Sequence, residues 1–123
     1  MSLTTTTLDL FAGIPVVDYA AALMWYEQLL GSPPTFFPHD TEAVWALAEH
    51  RYMYVVQEPE HAGHARHTLF VDSLDRLVAQ IAERGLGPAQ QETYENGVRK
   101  VTYRDPDGNE IALGGAPLQA PSS

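Results

Sequence analysis

The chain contains no cysteine and few basic residues, and each shortage excludes a class of function. Without cysteine there is no disulfide, no thiolate metal ligand and no cysteine nucleophile. The 123 residues include seven Lys and Arg but sixteen Asp and Glu, which gives a formal net charge of -9. Because nucleic acids and many membrane surfaces are anionic, we expect neither as a partner.

Long apolar runs and common catalytic motifs are also missing. Polar or helix-breaking residues interrupt every apolar run well before the roughly 18 to 20 residues that cross a bilayer. The first ten residues lack the basic start and apolar stretch of a signal peptide. No Gly-x-Ser-x-Gly elbow occurs, and no glycine-rich loop opens a predicted helix. With 45% apolar residues, we expect one soluble, cytoplasmic domain over residues 1–123.

The first half of the chain predicts one helix and four strands. A β-rich run over residues 8–17 leads through Asp18, a good helix N-cap, into a helix over 19–30 that Gly31 ends. Three short strands follow, at 35–37, 43–48 and 51–57. The threonines at 4–7 are expected to be a frayed end.

The second half predicts the same order. A strand over residues 67–71 leads through Asp72 into a helix that starts near Leu74 and ends at Gly85. Three strands follow, at 89–94, 98–103 and 110–113, separated by an Asn-Gly turn at 96–97 and an Asp-Pro-Asp-Gly turn at 105–108. Residues from 114 onward are expected to form a linker.

The two halves therefore form an internal repeat. An offset of 54 residues places Asp18 on Asp72 and Gly31 on Gly85. The repeat predicts an α+β fold of two βαβββ modules, about 8–58 and 65–114. One helix per module cannot cover both sides of its strands, so we expect a curved, eight-stranded mixed sheet with helices on one side and a concave cleft on the other.

Six motifs occur in a fixed order along the chain: Ile14-Pro15-Val16-Val17-Asp18, Trp25-Tyr26, Leu30-Gly31, Leu69-Phe70-Val71-Asp72, Leu74-Asp75 and the segment from Tyr103 to Ile111. Their order and spacing resemble the vicinal oxygen chelate superfamily, which includes glyoxalases, bleomycin resistance proteins and extradiol dioxygenases. The resemblance covers nearly the whole chain and implies the glyoxalase/bleomycin resistance fold.

The resemblance also implies where a metal ion would bind. Family members bind it through His, Gln or Glu on the first strand of each module and a carboxylate on the last strand. Those positions hold Phe11, Arg66 and Ala112 here, and the remaining one lies within residues 53–57. Phenylalanine, arginine and alanine are not metal ligands, so we expect no metal cofactor.

A displaced metal site is the alternative. His61, His64 and His67 recur every third residue near acidic side chains. Imidazole and carboxylate groups are the donors that a divalent transition metal prefers. The alternative ligands are His64, His67, Glu58 and Glu110; the competing interpretation is a polar connector between the modules.

Period-two alternation predicts which side chains line the cleft. If Phe11 faces it, so do Gly13 and Pro15, and the matching strand contributes Arg66 and Thr68. Arg66 suits a carboxylate or enolate oxygen, or else an ion pair with a nearby glutamate. Aromatic walls could come from Phe36, Phe37, Trp45, Tyr52 and Tyr54, with the core as the competing interpretation for each. The set of candidate ligand-binding residues is Phe11, Gly13, Phe37, Trp45, Tyr54, Arg66, Thr68 and Phe70.

Two functions follow from these observations. One is a metal-independent small-molecule binding protein that sequesters an aromatic or cationic compound, with clefts completed by a homodimer, as the resemblance implies. The other is a metal-dependent, glyoxalase-like lyase or dioxygenase that uses the displaced site. Whether any reaction is catalysed, and which compound is bound, stays open at the level of sequence.

Overall fold

A computed structural model describes residues 1–118 and contains two βαβββ modules behind a short N-terminal helix. The N-terminal helix is α1, Leu3–Thr6. Module one consists of β1 (Leu10–Val16), α2 (Tyr19–Leu30), β2 (Phe36–His39), β3 (Glu42–Ala48) and β4 (Arg51–Gln57). A short 3-10 turn, Pro59–His61, connects it to module two. Module two consists of β5 (Arg66–Val71), α3 (Leu74–Glu83), β6 (Gln90–Thr93), β7 (Arg99–Arg104) and β8 (Glu110–Gly115).

Each module forms its own four-stranded mixed sheet, which confirms the predicted α+β fold. The strand orders are β1-β4-β3-β2 and β5-β8-β7-β6. In each sheet the first and last strands of the module run parallel, and the other neighbours run antiparallel. The expected continuous eight-stranded sheet is replaced by two sheets. A side chain links their edge strands, since His67 Nε2 lies 2.9 Å from the Gly13 carbonyl oxygen.

Capping residues fix the ends of α2 where the sequence predicts them. The Asp18 side chain accepts a hydrogen bond from the Ala21 amide at 3.1 Å, and Gly31 ends the helix with a positive φ of 81°. The core-facing residues of α2 are Ala22, Tyr26 and Leu29. Among residues 1–118, no helix has the length and apolar character needed to cross a membrane.

The structure corrects three expectations. The N-caps of α2 and α3 are Asp18 and Ser73, so the repeat offset is 55 and not 54. Asp72 therefore precedes the cap and only resembles Asp18 in sequence. Residues 3–6 form one exposed helical turn where a frayed end was expected. Residues 114–115 were expected to begin a linker, but they continue β8 and pair with β5 and β7.

A buried polar network joins the two modules. The side-chain amide of Asn109, which is 0% exposed, donates to the Pro15 carbonyl oxygen and to Asp105 Oδ2, both at 2.8 Å. The Tyr26 hydroxyl donates to the same Asp105 oxygen at 2.8 Å. Burial, together with the negative charge of Asp105, raises the pKa of Tyr26. Because Asp105 and Asn109 belong to module two and the others to module one, this network fixes the modules relative to each other.

Candidate functional site

Each sheet has one face packed on the helices and one face turned away from them. In β1, Ile14 and Val16 are fully buried in the core while Phe11 is 48% exposed. In β5, the odd-numbered residues are half-buried and the even-numbered ones are exposed. We call the two outer surfaces the module-one open face and the module-two open face.

Cross-strand register assigns residues to each open face. The module-one open face carries Phe11, Gly13, Pro15, Phe36, Glu42, Val44, Ala46, Tyr52, Tyr54 and Val56. The module-two open face carries Arg66, Thr68, Phe70, Gln90, Glu92, Lys100, Thr102, Arg104, Glu110, Ala112 and Gly114.

Aromatic rings cover much of the module-one open face. The rings of Phe11 and Tyr52 stack with centroids 4.5 Å apart and planes 10° from parallel. The ring of Tyr54 lies over Gly13, because a Cβ atom added at Gly13 would be 2.5 Å from the Tyr54 hydroxyl oxygen. A glycine in β1 therefore gives Tyr54 its place beside the stacked pair. Flat, apolar and partly exposed, this surface suits an aromatic ring.

Ion pairs occupy the module-two open face. Arg66 Nε lies 3.6 Å from Glu110 Oε1, and Arg104 Nε lies 3.3 Å from Glu110 Oε2. This arrangement realises the ion-pair alternative for Arg66, whose side chain is nevertheless 75% exposed. A surface cavity of about 260 Å³ lies here, lined by Arg66, His67, Thr68, Lys100, Glu110 and Ala112.

Two of the predicted ligand-binding residues lie elsewhere. Trp45 is 2% exposed in the core, where its Nε1 donates to the Ser32 carbonyl oxygen at 3.0 Å. Phe37 points to the helix side of the sheet, where it lines a cavity with Tyr19 and Leu23 of α2. Its neighbour Phe36 pairs with Val44 of the open face, so alternation along β2 places Phe37 on the opposite side.

The other predicted residues form two groups that the structure keeps on separate sheets. Phe11, Gly13 and Tyr54 lie together on module one, and Arg66, Thr68 and Phe70 lie together on module two. Tyr52 and Phe36, which the sequence suggests as aromatic walls but which are not in the candidate set, also lie on the module-one open face. Their strand pairing with Phe11 and Val44 places them there, and that pairing is not visible in the sequence.

The residues at the family's metal positions do not fit an ion. Phe11, Arg66 and Ala112 are all on open faces, where they offer no donor atom. Of the alternative ligands, His67 and Glu110 border the same surface cavity, but His67 lies against the Gly13 carbonyl oxygen and Glu110 contacts two arginines. Within residues 1–118, no three His, Cys, Asp or Glu side chains are placed to hold a metal ion.

Comparison with known proteins identifies the family. The family model described as Glyoxalase/Bleomycin resistance protein/Dioxygenase superfamily matches residues 7–113. The chain therefore belongs to this superfamily. No match was found among curated proteins.

Solved structures agree with this assignment. A glyoxalase/bleomycin resistance protein from Catenulispora acidiphila is 60% identical, with 90% of this chain and 100% of that chain covered and a TM-score of 0.87. A bleomycin-binding protein complexed with bleomycin is 19% identical, with 87% and 97% covered and a TM-score of 0.70. Lactoylglutathione lyase from Agrobacterium tumefaciens is 13% identical, with 89% and 93% covered and a TM-score of 0.71. The last two show a shared fold.

Proposed function

We propose that this protein binds an aromatic compound, cationic aromatic compounds included, without a metal ion and thereby sequesters it. The observation that carries the proposal is the stacked pair of Phe11 and Tyr52 beside Tyr54 on the module-one open face. Stacked aromatic side chains present a flat apolar surface at low cost in side-chain entropy. The bleomycin-binding neighbour gives a first probe, since its fold is shared.

Metal independence is supported by the chemistry of the open faces. The positions where the family binds an ion hold a phenyl ring, a guanidinium and a methyl group. Glu110, a carboxylate on the module-two open face, already contacts two arginines. An added cation would have to compete with both guanidinium groups for that carboxylate.

We also propose a homodimer in which the module-one open face of one copy lies opposite the module-two open face of its partner. The open faces expose three large apolar side chains, Phe11, Phe36 and Phe70, at 48%, 44% and 68%. A second copy would cover them and place Arg66 of one chain near the aromatic surface of the other. Light scattering should give twice 13.6 kDa, and Phe70→Ser should shift the mass toward 13.6 kDa. A monomeric mass for the unmodified protein would contradict this arrangement.

Calorimetry on chelator-treated protein tests ligand binding. Bleomycin and a planar acridine dye serve as probes, and we expect either to raise the melting temperature at concentrations above its dissociation constant. Tyr52→Ala should weaken binding by roughly tenfold, since an aromatic contact contributes up to about 1.5 kcal/mol. Met24→Ala, on the outer side of α2 where Met24 is 70% exposed, is the control and should leave affinity unchanged.

Three outcomes would contradict the proposal. One is an absence of binding by either probe at millimolar concentration. The second is binding that appears only after a divalent metal is restored, which would favour the metal-dependent lyase or dioxygenase. The third is an equal loss of affinity in Tyr52→Ala and Met24→Ala, because the site would then not be the aromatic surface.

A further inference from the structure

A second apolar cavity lies on the helix side of the module-two sheet, away from both open faces. Its volume is about 260 Å³, and its walls come from the end of α2, one side of α3 and the strands β5 and β8. We call it the interhelix cavity. Its apolar lining consists of Leu29, Leu30, Leu69, Val71, Leu77, Ile81, Ile111 and Leu113.

The difference between the two modules explains why space is left there. With the offset of 55 residues, Tyr26 on α2 corresponds to Ile81 on α3. Tyr26 is fully buried and its ring lies 6.4 Å from that of Trp45, so two rings fill the space between helix and sheet in module one. In module two, Ile81 occupies the position of Tyr26, and the strand register places Tyr103 at the position of Trp45.

One cationic side chain lies at the edge of this cavity. Arg84 follows α3, and its Nη2 donates to the Leu29 carbonyl oxygen at 3.0 Å while its Nε donates to the Gln28 carbonyl oxygen. Within residues 1–118, its third nitrogen, Nη1, makes no hydrogen bond or ion pair. The only other polar side chain of the lining is that of Gln80, so no carboxylate competes for the guanidinium.

A buried hydroxyl provides a second, independent observation. Tyr103 is 0% exposed, and its hydroxyl has no hydrogen-bond partner among residues 1–118. It shares a sheet face with Ile111, which lines the cavity. Burial raises the pKa of Tyr103, whereas the positive charge of Arg84 acts to lower it. A buried hydroxyl without a partner costs free energy.

We propose that the interhelix cavity binds a small monocarboxylate with a compact aliphatic or aromatic body. The body packs among the leucine and isoleucine side chains, and the carboxylate accepts a hydrogen bond from Nη1 of Arg84. Dry apolar cavities of roughly 150 Å³ already bind benzene, so this one has room for such a body. Arginine is the side chain that best recognises a carboxylate, and its guanidinium is held in place by the carbonyl groups of α2.

The test uses hexanoate and phenylacetate as probes, with hexan-1-ol as the uncharged counterpart of hexanoate. Calorimetry on the whole protein should show binding of both carboxylates, and hexan-1-ol should bind more weakly. Ile81→Phe places an aromatic ring at the position that corresponds to Tyr26. The ring should fill the cavity and weaken hexanoate binding by roughly tenfold or more. Met24→Phe, on the outer side of α2 where Met24 is 70% exposed, is the matched control and should change nothing.

Two further variants keep the proposal falsifiable if Ile81→Phe folds poorly. Leu77 is a half-buried residue of the cavity wall, and Leu77→Phe should fill the cavity from there. Arg84→Gln should abolish the preference for hexanoate over hexan-1-ol. The proposal is overturned if no carboxylate binds at millimolar concentration or if the filling variants bind hexanoate normally. It is equally overturned if Tyr52→Ala, on the module-one open face, removes hexanoate binding, because the carboxylate would then occupy that face.

Discussion

The same two sheet positions carry opposite chemistry in the two modules. Phe11 pairs with Tyr52 in register on module one, and the corresponding pair on module two is Arg66 with Glu110. The first pair is a ring stack at 4.5 Å and the second is an ion pair at 3.6 Å. Duplication of the βαβββ unit therefore preserves which positions face away from the helices, while the residues at those positions decide what each face binds.

Neighbouring positions extend this difference. Tyr54 corresponds to Ala112, and Val44 corresponds to Thr102. The module-two open face holds Arg66, Lys100 and Arg104, three of the seven basic residues in the chain. Most of the excess acidic residues therefore lie outside the module-two open face. A cationic ligand should bind more favourably to the aromatic module-one open face than to this basic one.

The largest expected effect compares the core positions of the two modules. Trp45→Ala should lower the free energy of unfolding by about 3 to 5 kcal/mol, because it leaves a cavity beside Tyr26 and an unpaired Ser32 carbonyl oxygen. Tyr103→Phe, at the corresponding position, should be neutral or stabilise by about 1 kcal/mol, since the hydroxyl it removes has no partner among residues 1–118. Urea unfolding measures both. A loss of several kcal/mol in Tyr103→Phe would mean that its hydroxyl is hydrogen-bonded in solution.

An exchange of the open-face pairs tests whether these residues alone decide binding. The double variant Phe11→Arg with Tyr52→Glu should lose aromatic binding by roughly a hundredfold, about 2.7 kcal/mol, and the loss of the ring stack should lower the free energy of unfolding by about 1 kcal/mol. The reverse exchange, Arg66→Phe with Glu110→Tyr, should create a second aromatic site, seen as a second equivalent in calorimetry. Retained affinity in the first double variant would place the ligand elsewhere.

The sequence predicts the order and most boundaries of the elements, because their signals are local. Asp18 and Gly31 cap α2 where expected, and the turn at 105–108 closes with a hydrogen bond from the Gly108 amide to the Asp105 carbonyl oxygen at 3.0 Å. Faces are harder to predict, since alternation divides a strand into two sets without saying which set is outside. The register with β4 was needed to place Trp45 in the core.

Other errors have equally specific causes. Phe36 pairs with Val44 and therefore lies on the open face, while its neighbour Phe37 lies on the other side; this long-range pairing decides which of the two adjacent phenylalanines faces outward. The predicted repeat offset is one residue too short because Asp72 was aligned with the N-cap residue Asp18. The N-cap of α3 is Ser73. The ion pair of Arg66 with Glu110 joins residues 44 apart, a contact that only the parallel pairing of β5 with β8 creates.

Alkaline pH should lower the free energy of unfolding, through one buried tyrosine in each module. The folded-state pKa values of Tyr26 and Tyr103 are raised, mainly by burial, above the value of about 10 expected in the unfolded chain. Stability is therefore fully present below about pH 10 and is lost as the pH rises toward the folded-state pKa values, with a larger loss for the tyrosine whose pKa is raised more. Tyr26→Phe should flatten this fall more than Tyr103→Phe, because Asp105 adds to the rise for Tyr26 while Arg84 opposes it for Tyr103. Equal slopes in the two variants would contradict this assignment.

The smallest expected effect is at the exposed ion pair of module two. Arg66→Ala should change the free energy of unfolding by no more than about 1 kcal/mol, since its side chain is 75% exposed and water screens the pair with Glu110. Phe11→Ala, at the corresponding position of module one, should cost more, because it also removes a ring stack. Raising the salt concentration should reduce the Arg66 effect and leave the Phe11 effect unchanged, since only the first is electrostatic. If both effects responded alike to salt, the two faces would not differ in the way that the stack and the ion pair indicate.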